Sequence, residues 1–376
     1  MVSGFDRMLE IVCFTGKSGL TDYSVSMARQ MRGKCRLITA SSLPERFRCA
    51  GFDVVFAFRR SRHYPIDIMR FAVGALKRRP NWMLWQGPLK FPLVDGVIAR
   101  TLRARGIRCA VTVHDVLPHY PKPWSRWTFS FYYRSFERLI VHSQSAKEEI
   151  QRLGVRNPIL VVPHGLYDIF YIERPSQVKA RQLIGGLIGT SRGVVVLLFG
   201  HIELRKGIFE FLETADLLKD DKRFLFLVAG NSELSVKEEK LVKEMASAAG
   251  NVVLKMERIP FEAVERYFCA ADIVALPYRE GTTSGVLKLA IAFDRPVVAS
   301  NVGDFPEQVC ERNGICIPLG ADFVERYSEA VRKIGNDPTV WAQRSMEFKR
   351  ELQWEGIVAR IESFLEGTNK VSAFDD

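Results

Sequence analysis

Two short stretches combine residue types and spacings suited to holding an anion. The first reads Phe199-Gly200-His201-Ile202-Glu203-Leu204-Arg205-Lys206-Gly207. An apolar strand ends, a glycine follows, and two adjacent cations stand where a helix is expected to open. A cation at a helix N-terminus opposes the helix dipole, so two of them there are unfavourable without a bound anion. Such a pair could face a diphosphate directly. The second stretch follows the apolar run ending at Leu276 and reads Pro277-Tyr278-Arg279-Glu280-Gly281-Thr282-Thr283-Ser284-Gly285-Val286-Leu287-Lys288. Free amides at the start of a helix from Gly285, with the dipole behind them, form an anion site. Gly281 and Gly285 admit a ligand close to the backbone, and Thr282, Thr283 and Ser284 offer hydroxyl donors. A cap on the helix is the plainer reading of the same Ser and Thr.

The elements that must position these stretches come in two sets. In the first half, strands are predicted at Leu9–Thr15, Arg36–Thr39, Asp53–Phe58, Trp82–Gln86, Cys109–His114, Leu139–His142 and Ile159–Val162. Helical patterns lie between them, at Ile66–Lys77, Leu93–Arg105, Ser125–Glu137 and Ser145–Leu153. The second half repeats the scheme from Val194–Phe199 to Ile315–Ile317, with helices that include Lys206–Leu218 and Gly285–Phe293. Short apolar strands alternating with amphipathic helices specify parallel, doubly wound sheets. The stretch Pro163–Gly193 suits a linker with one short helix, and Pro338–Leu365 reads as helical again. The expected α/β architecture is two Rossmann-like domains, residues 1–165 and 166–345, facing a central cleft. A helical tail, residues 346–376, is expected to return to the first domain.

Composition bounds the function class. The chain has 376 residues, 47% of them hydrophobic, which suits two cores and excludes a disordered polymer. No apolar run reaches the roughly 18–20 residues of a membrane helix, and Met1–Ile11 lacks a signal-peptide core. The seven cysteines form no Cys-x-x-Cys pair, so small core residues in a reduced, cytoplasmic compartment are expected. The net charge is +11, and between Arg59 and Arg108 twelve bases face only Asp67 and Asp95, a local excess of +10. Phe58, Tyr64, Phe71, Trp82, Trp85 and Phe91 are interleaved with those bases. Such a segment favours anionic partners, an anionic membrane surface above all. Nucleic acid is disfavoured, because no recognition motif accompanies the charge.

Taken together, the motifs resemble the GT-B glycosyltransferases of family 4. They are Gly16-Lys17-Ser18-Gly19, Val113-His114-Asp115, Pro163-His164-Gly165, Lys206-Gly207, the region from Glu280, and Pro296–Gly303 followed by Pro306-Glu307. The resemblance implies a retaining transfer of a sugar from a nucleotide-diphosphate-sugar to a saccharide acceptor, with no cofactor and no metal. It implies that Arg205 and Lys206 neutralise the departing diphosphate, with His201 beside them. Glu280 would accept hydrogen bonds from the donor sugar, and Ser284, Gly285 and Val286 would hold phosphate or sugar. His114 would face the sugar, and Gly16 and Gly19 would leave room for the substrates. With the basic segment, it implies a lipid-linked acceptor at the inner face of the cytoplasmic membrane, in cell-surface polysaccharide or glycolipid synthesis.

Two positions depart from the family pattern. His201 stands where an Arg is usual, and Lys288 replaces the second glutamate of Glu-x7-Glu. An ammonium cannot accept a hydroxyl proton. Lys288 lies one turn beyond Ser284, so its side chain is expected to reach back toward the phosphates. Gly16-Lys17-Ser18 is no Walker A loop, because position 11 is Ile. His114, His119, His142 and His164 are not at metal-ligand spacings, and His119 and His142 read as structural. An epimerase or hydrolase of sugar nucleotides, or a non-catalytic nucleotide-binding protein, are the rival classes.

Overall fold

The computed structural model describes residues 8–31, 35–48, 51–59, 61–118, 121–188, 193–281 and 284–367. These fall into two compact units, one running to Gly165 and resuming at Leu352, the other Leu166–Glu351.

The first unit holds strands β1 (Leu9–Val12), β2 (Cys35–Ala40), β3 (Asp53–Phe58), β4 (Trp82–Gln86), β5 (Arg108–Thr112), β6 (Arg138–Val141) and β7 (Ile159–Val161). They form one sheet in the order β3-β2-β1-β4-β5-β6-β7. Every pair is parallel. The strands are apolar along nearly their whole length because helices cover both faces. Trp85, Tyr23, Tyr132, Tyr133, Phe58, Phe71 and Phe136 are the largest side chains sealed in this core. Glu10 is fully buried in β1 and is matched by Arg78 Nε at 2.6 Å and Arg36 Nη1 at 3.2 Å.

The second unit holds β8 (Val194–Phe199), β9 (Phe224–Ala229), β10 (Val252–Lys255), β11 (Ile273–Leu276), β12 (Val297–Ser300) and β13 (Gly314–Ile317). Their order is β10-β9-β8-β11-β12-β13, again all parallel. In both sheets the order reverses at the first strand, between β1 and β4 and between β8 and β11. Helices leave that point to opposite faces, so the carboxyl ends of those strands open onto a ligand crevice. The two stretches singled out in the sequence follow β8 and β11 directly.

Several elements differ from expectation, each for a visible reason. β1, β5 and β6 stop at Val12, Thr112 and Val141, because the residues beyond them already form the ligand-facing turns. The helix expected from Lys206 is split. Leu204–Lys206 makes a 3-10 turn, Gly207 takes φ +74°, and the helix begins at Ile208. A Cβ on Gly207 would lie 1.8 Å from the Pro277 carbonyl oxygen, so the chain passes there only as glycine. The linker carries two short helices, Gln177–Leu183 and Gly185–Ile188. The Glu265 carboxylate accepts the N–H groups of Ile172, Glu173 and Arg174 and ties that linker to the second unit. The final helical run breaks at Arg350–Gln353 because its halves serve different cores. In Pro338–Lys349, Ser345 and Lys349 donate to the carbonyls of Arg295 and Ala292. Trp354–Glu366 packs instead on the first unit, with Trp354 5.0 Å from the ring of Tyr23. His119 lies outside the described residues.

Gly207→Ala is expected to cost about 2 kcal/mol or more, from left-handed strain and the clash with Pro277. Urea unfolding of the variant measures it; a variant as stable as the parent would contradict this account of the turn.

Candidate functional site at the strand ends

In the second unit the loops after β8 and β11 meet. The Arg279 N–H donates to the Arg205 carbonyl at 2.8 Å. A Cβ built on Gly200 would lie 3.4 Å from Val286 Cγ2 and 3.7 Å from Lys206 Nζ. Lys206 Nζ stands 6.0 Å from the centre of the Tyr278 ring. Tyr278 Oη and Ser284 Oγ are 3.2 Å apart, and the Ser300 hydroxyl donates to the Tyr278 carbonyl. Ser284 caps the helix Gly285–Ala292, its Oγ accepting from the Leu287 N–H at 3.4 Å. The structure thus gathers Arg205, Lys206, Ser284, Gly285 and Val286 around one pole. Glu280 is exposed in the turn beyond β11. His201 is exposed nearby, with Nδ1 2.5 Å from Glu233 Oε1. Thr282 and Thr283 lie outside the described residues.

The electrostatics add a residue the sequence reading passed over. Arg205 donates to both oxygens of Glu203, at 2.9 and 2.8 Å, and Lys206 Nζ lies 3.5 Å from the same carboxylate. Two cations share one anion, so the turn keeps a surplus positive charge while the guanidinium is held in one orientation. Burial pushes the Lys206 ammonium below its usual range, and Glu203 works against that shift. Its signal was legible as a carboxylate two and three residues before the cations, within reach of both.

Lys288 is only 2% exposed, on the first turns of the same helix. Burial pulls its pKa down to about 8, while the charge of Asp304 works the other way. Among the described residues no carboxylate lies within ion-pair distance of its Nζ. Lys288 is therefore a buried cation at the pole of the site, still charged at neutral pH.

The first unit presents a different pole. Ser18 caps the helix Gly19–Gln30, and its Oγ meets Thr15 Oγ1 at 2.5 Å. Gly16 is buried, and a Cβ there would stand 2.6 Å from Leu43 N and Ser42 Oγ. Its missing side chain makes room for that loop; Gly19 is exposed. His114 follows β5, its Nε2 3.2 Å from Gln86 Oε1, and burial lowers its pKa to about 4, so it is neutral at pH 7. His142 and His164 lie against it, with ring centres 5.3 and 6.1 Å away.

The basic segment is redistributed by the fold. Phe58, Tyr64, Phe71, Trp82 and Trp85 are all core residues, so these aromatics do not face a partner. The exposed apolar side chains are instead Ile66, Met69 and Val73 on the helix Tyr64–Arg78, and Phe91, Leu93, Val94 and Val97 at and beyond the start of the helix Pro92–Ala104. Trp124 and Trp127, 59% and 65% exposed, extend the set onto the helix Ser125–Arg134. Arg70, Lys77, Arg100, Lys122 and Arg126 are exposed among them.

Comparison with known proteins fits this geometry. Residues 193–337 match the family model described as "Glycosyl transferases group 1", and residues 18–165 match "Glycosyl transferase 4-like domain". The chain belongs to the group 1 glycosyltransferases. GDP-mannose:glycolipid 4-beta-D-mannosyltransferase of Xanthomonas campestris is 24% identical over 229 residues, 60% of this chain and 58% of that one. Alpha-maltose-1-phosphate synthase of Mycolicibacterium smegmatis is 27% identical over 193 residues, 48% of each chain. The matches thus span between 48% and 58% of those relatives' own lengths. A solved Anabaena protein, HepE in complex with UDP and glucose, superposes with a TM-score of 0.73 at 15% identity, covering 96% of this glycosyltransferase and 100% of that chain. The fold is GT-B: two Rossmann-like parallel sheets clothed by helices.

Because Lys288 carries its charge in a buried place, the native state has a pKa below the value of 10.5 for a free lysine. Between about pH 8 and 10.5 the unfolded chain binds the extra proton, so stability rises with pH there, and the penalty is fully present below pH 8. Lys288→Met should therefore stabilise the protein at pH 7, by something on the order of 2–3 kcal/mol. Thermal unfolding across pH 7–10 checks this; a destabilised variant at pH 7 would contradict it.

Proposed function

We propose that the protein transfers a sugar from a nucleotide-diphosphate-sugar to a lipid-linked saccharide acceptor, in cell-surface polysaccharide or glycolipid synthesis. The observation that carries the reading is the pole of the second unit, where Arg205 and Lys206 share the Glu203 carboxylate and the loop after β11 brings the first amides of the helix from Gly285, with buried Lys288 one turn on, beside the same turn. Departure of a nucleoside diphosphate places negative charge on the bridging phosphate oxygen. Fixed cations and amides stabilise that charge without reorganising, and one such donor is worth about 3–4 kcal/mol. Glu203 keeps the guanidinium aimed, and Lys288, in the place of the family's second glutamate, adds its ammonium on the phosphate side. Glu280 accepts from hydroxyls of the donor sugar. The phosphate charge is met by these groups, so the chemistry needs no metal. HepE, which shares the fold, was solved with UDP and glucose, in keeping with a nucleotide-sugar donor.

The acceptor reading rests on the exposed face of the first unit, where apolar side chains stand among arginines and lysines. Helices presenting both suit the boundary of an anionic bilayer. The Xanthomonas relative is named for a glycolipid acceptor. Among the described residues no helix is long and apolar enough to cross a membrane. The mixed apolar and basic face suits peripheral attachment at the cytoplasmic face.

We favour transfer with retention, the acceptor attacking on the face from which the diphosphate leaves, with the phosphate taking its proton. Inversion is the second reading, since the two curated relatives carry opposite anomeric descriptors, 4-beta and alpha. The anomeric proton coupling of the product decides between them.

Incubation with candidate nucleotide sugars and extracted membrane lipids should yield a glycosylated lipid and free nucleoside diphosphate. Free sugar or an epimerised nucleotide as the sole product would overturn the reading. In that assay Arg205→Ala should lower kcat by about 10²–10³, and an effect confined to KM would contradict the role of Arg205. The protein should also sediment with anionic vesicles at low salt and be released at high salt. Failure to bind them at low salt would remove the membrane claim.

A further inference from the structure

We propose that His114, His142 and His164 form a binding site for a zinc-type divalent transition metal, held wholly within the first unit. The sequence does not advertise it, because the three imidazoles come from three different strand ends. The parallel register brings them together. Thr112 pairs with Ile140 and Ile140 with Leu160, so two residues further His114 stands beside His142, and His164 follows just past Val162. One ring nitrogen of each lies within 4.8 Å of one from both others.

One nitrogen of each ring also meets an oxygen acceptor. His142 Nδ1 donates to the Val162 carbonyl at 3.2 Å, His164 Nδ1 to the Gly165 carbonyl at 2.6 Å, and His114 Nε2 to Gln86 Oε1 at 3.2 Å. An acceptor there requires N–H, which sets each neutral tautomer and puts the lone pair on the second nitrogen. This is the arrangement in which metal-ligating imidazoles are held by their outer partners. The Tyr23 ring packs against all three, at centre distances of 4.7, 5.3 and 4.7 Å, and limits how the rings can turn. Bonds of about 2.0–2.1 Å to a tetrahedral zinc put nitrogens about 3.4 Å apart, so the rings need approach by at most about 1.4 Å. Three neutral nitrogens without a carboxylate select zinc, copper or nickel over magnesium or calcium. The site is separate from the cationic pole of the second unit and has no part in the phosphate chemistry proposed above.

The test is a titration of the tag-free full chain with Zn²⁺ in competition with a chromophoric chelator, together with the zinc absorption edge of the loaded protein. One zinc per chain is expected, with a shell of nitrogen and oxygen donors. Affinity should fall at least tenfold in His142→Gln and in His164→Gln, and stay unchanged in His201→Gln. Circular dichroism establishes that the variants are folded, and the absorption spectrum of the parent stands without them. No saturable uptake, uptake that survives both substitutions, or a sulfur shell from the cysteines would each overturn the proposal.

Discussion

The surplus positive charge at the strand ends of the second sheet is the constraint on which the rest of that unit depends. Arg205 and Lys206 share Glu203, and Lys288 is buried with only the more distant charge of Asp304 acting on it. A buried unmatched ammonium is costly, and natural chains place one where a ligand supplies the missing charge. The backbone around it is correspondingly specialised. Gly200, Gly207 and Gly230 all take positive φ, and the turns they make let the loops after β8, β9 and β11 close on one another. The apolar strands beneath give those turns a rigid base, with Phe211, Phe226 and Phe268 sealed in the core.

The two units use one topology for different chemistry. Both sheets reverse strand order at their first strand, so both open a crevice at the same place in the fold. In the second unit that place is cationic and rich in free amides. In the first it is lined by the hydroxyls of Thr15, Ser18 and Thr21 and by the His114 imidazole, which burial keeps uncharged. A diphosphate is suited to the one and uncharged hydroxyl groups to the other. That division follows from side chains, since the backbones are alike.

Much of this was legible in the sequence, and the exceptions are instructive. The parallel, doubly wound units follow from apolar runs such as Val194–Phe199, which make sense only when covered on both faces. The anion pole could be read from Arg205, Lys206 and the Gly-rich turn, because local spacing places them at strand ends. Glu203 stands within reach of both cations along the chain, but which of them it orients is set by the 3-10 turn Leu204–Lys206 that precedes Gly207. The aromatics of the basic segment were assigned to a partner surface, yet strand and helix burial takes all but Phe91 into the core. The histidine cluster was unreadable, since it arises from the register of β5, β6 and β7 and not from spacing along the chain.

The central claim is that the second unit binds the diphosphate of a nucleotide. The most direct measurement is thermal unfolding of the full chain with a panel of nucleoside mono- and diphosphates, since a ligand that binds only the folded state raises its stability. The account predicts that at least one diphosphate stabilises the protein more than its monophosphate does, and that Arg205→Ala and Lys288→Met each reduce the difference. Equal shifts for mono- and diphosphate, or a difference untouched by either substitution, would contradict it.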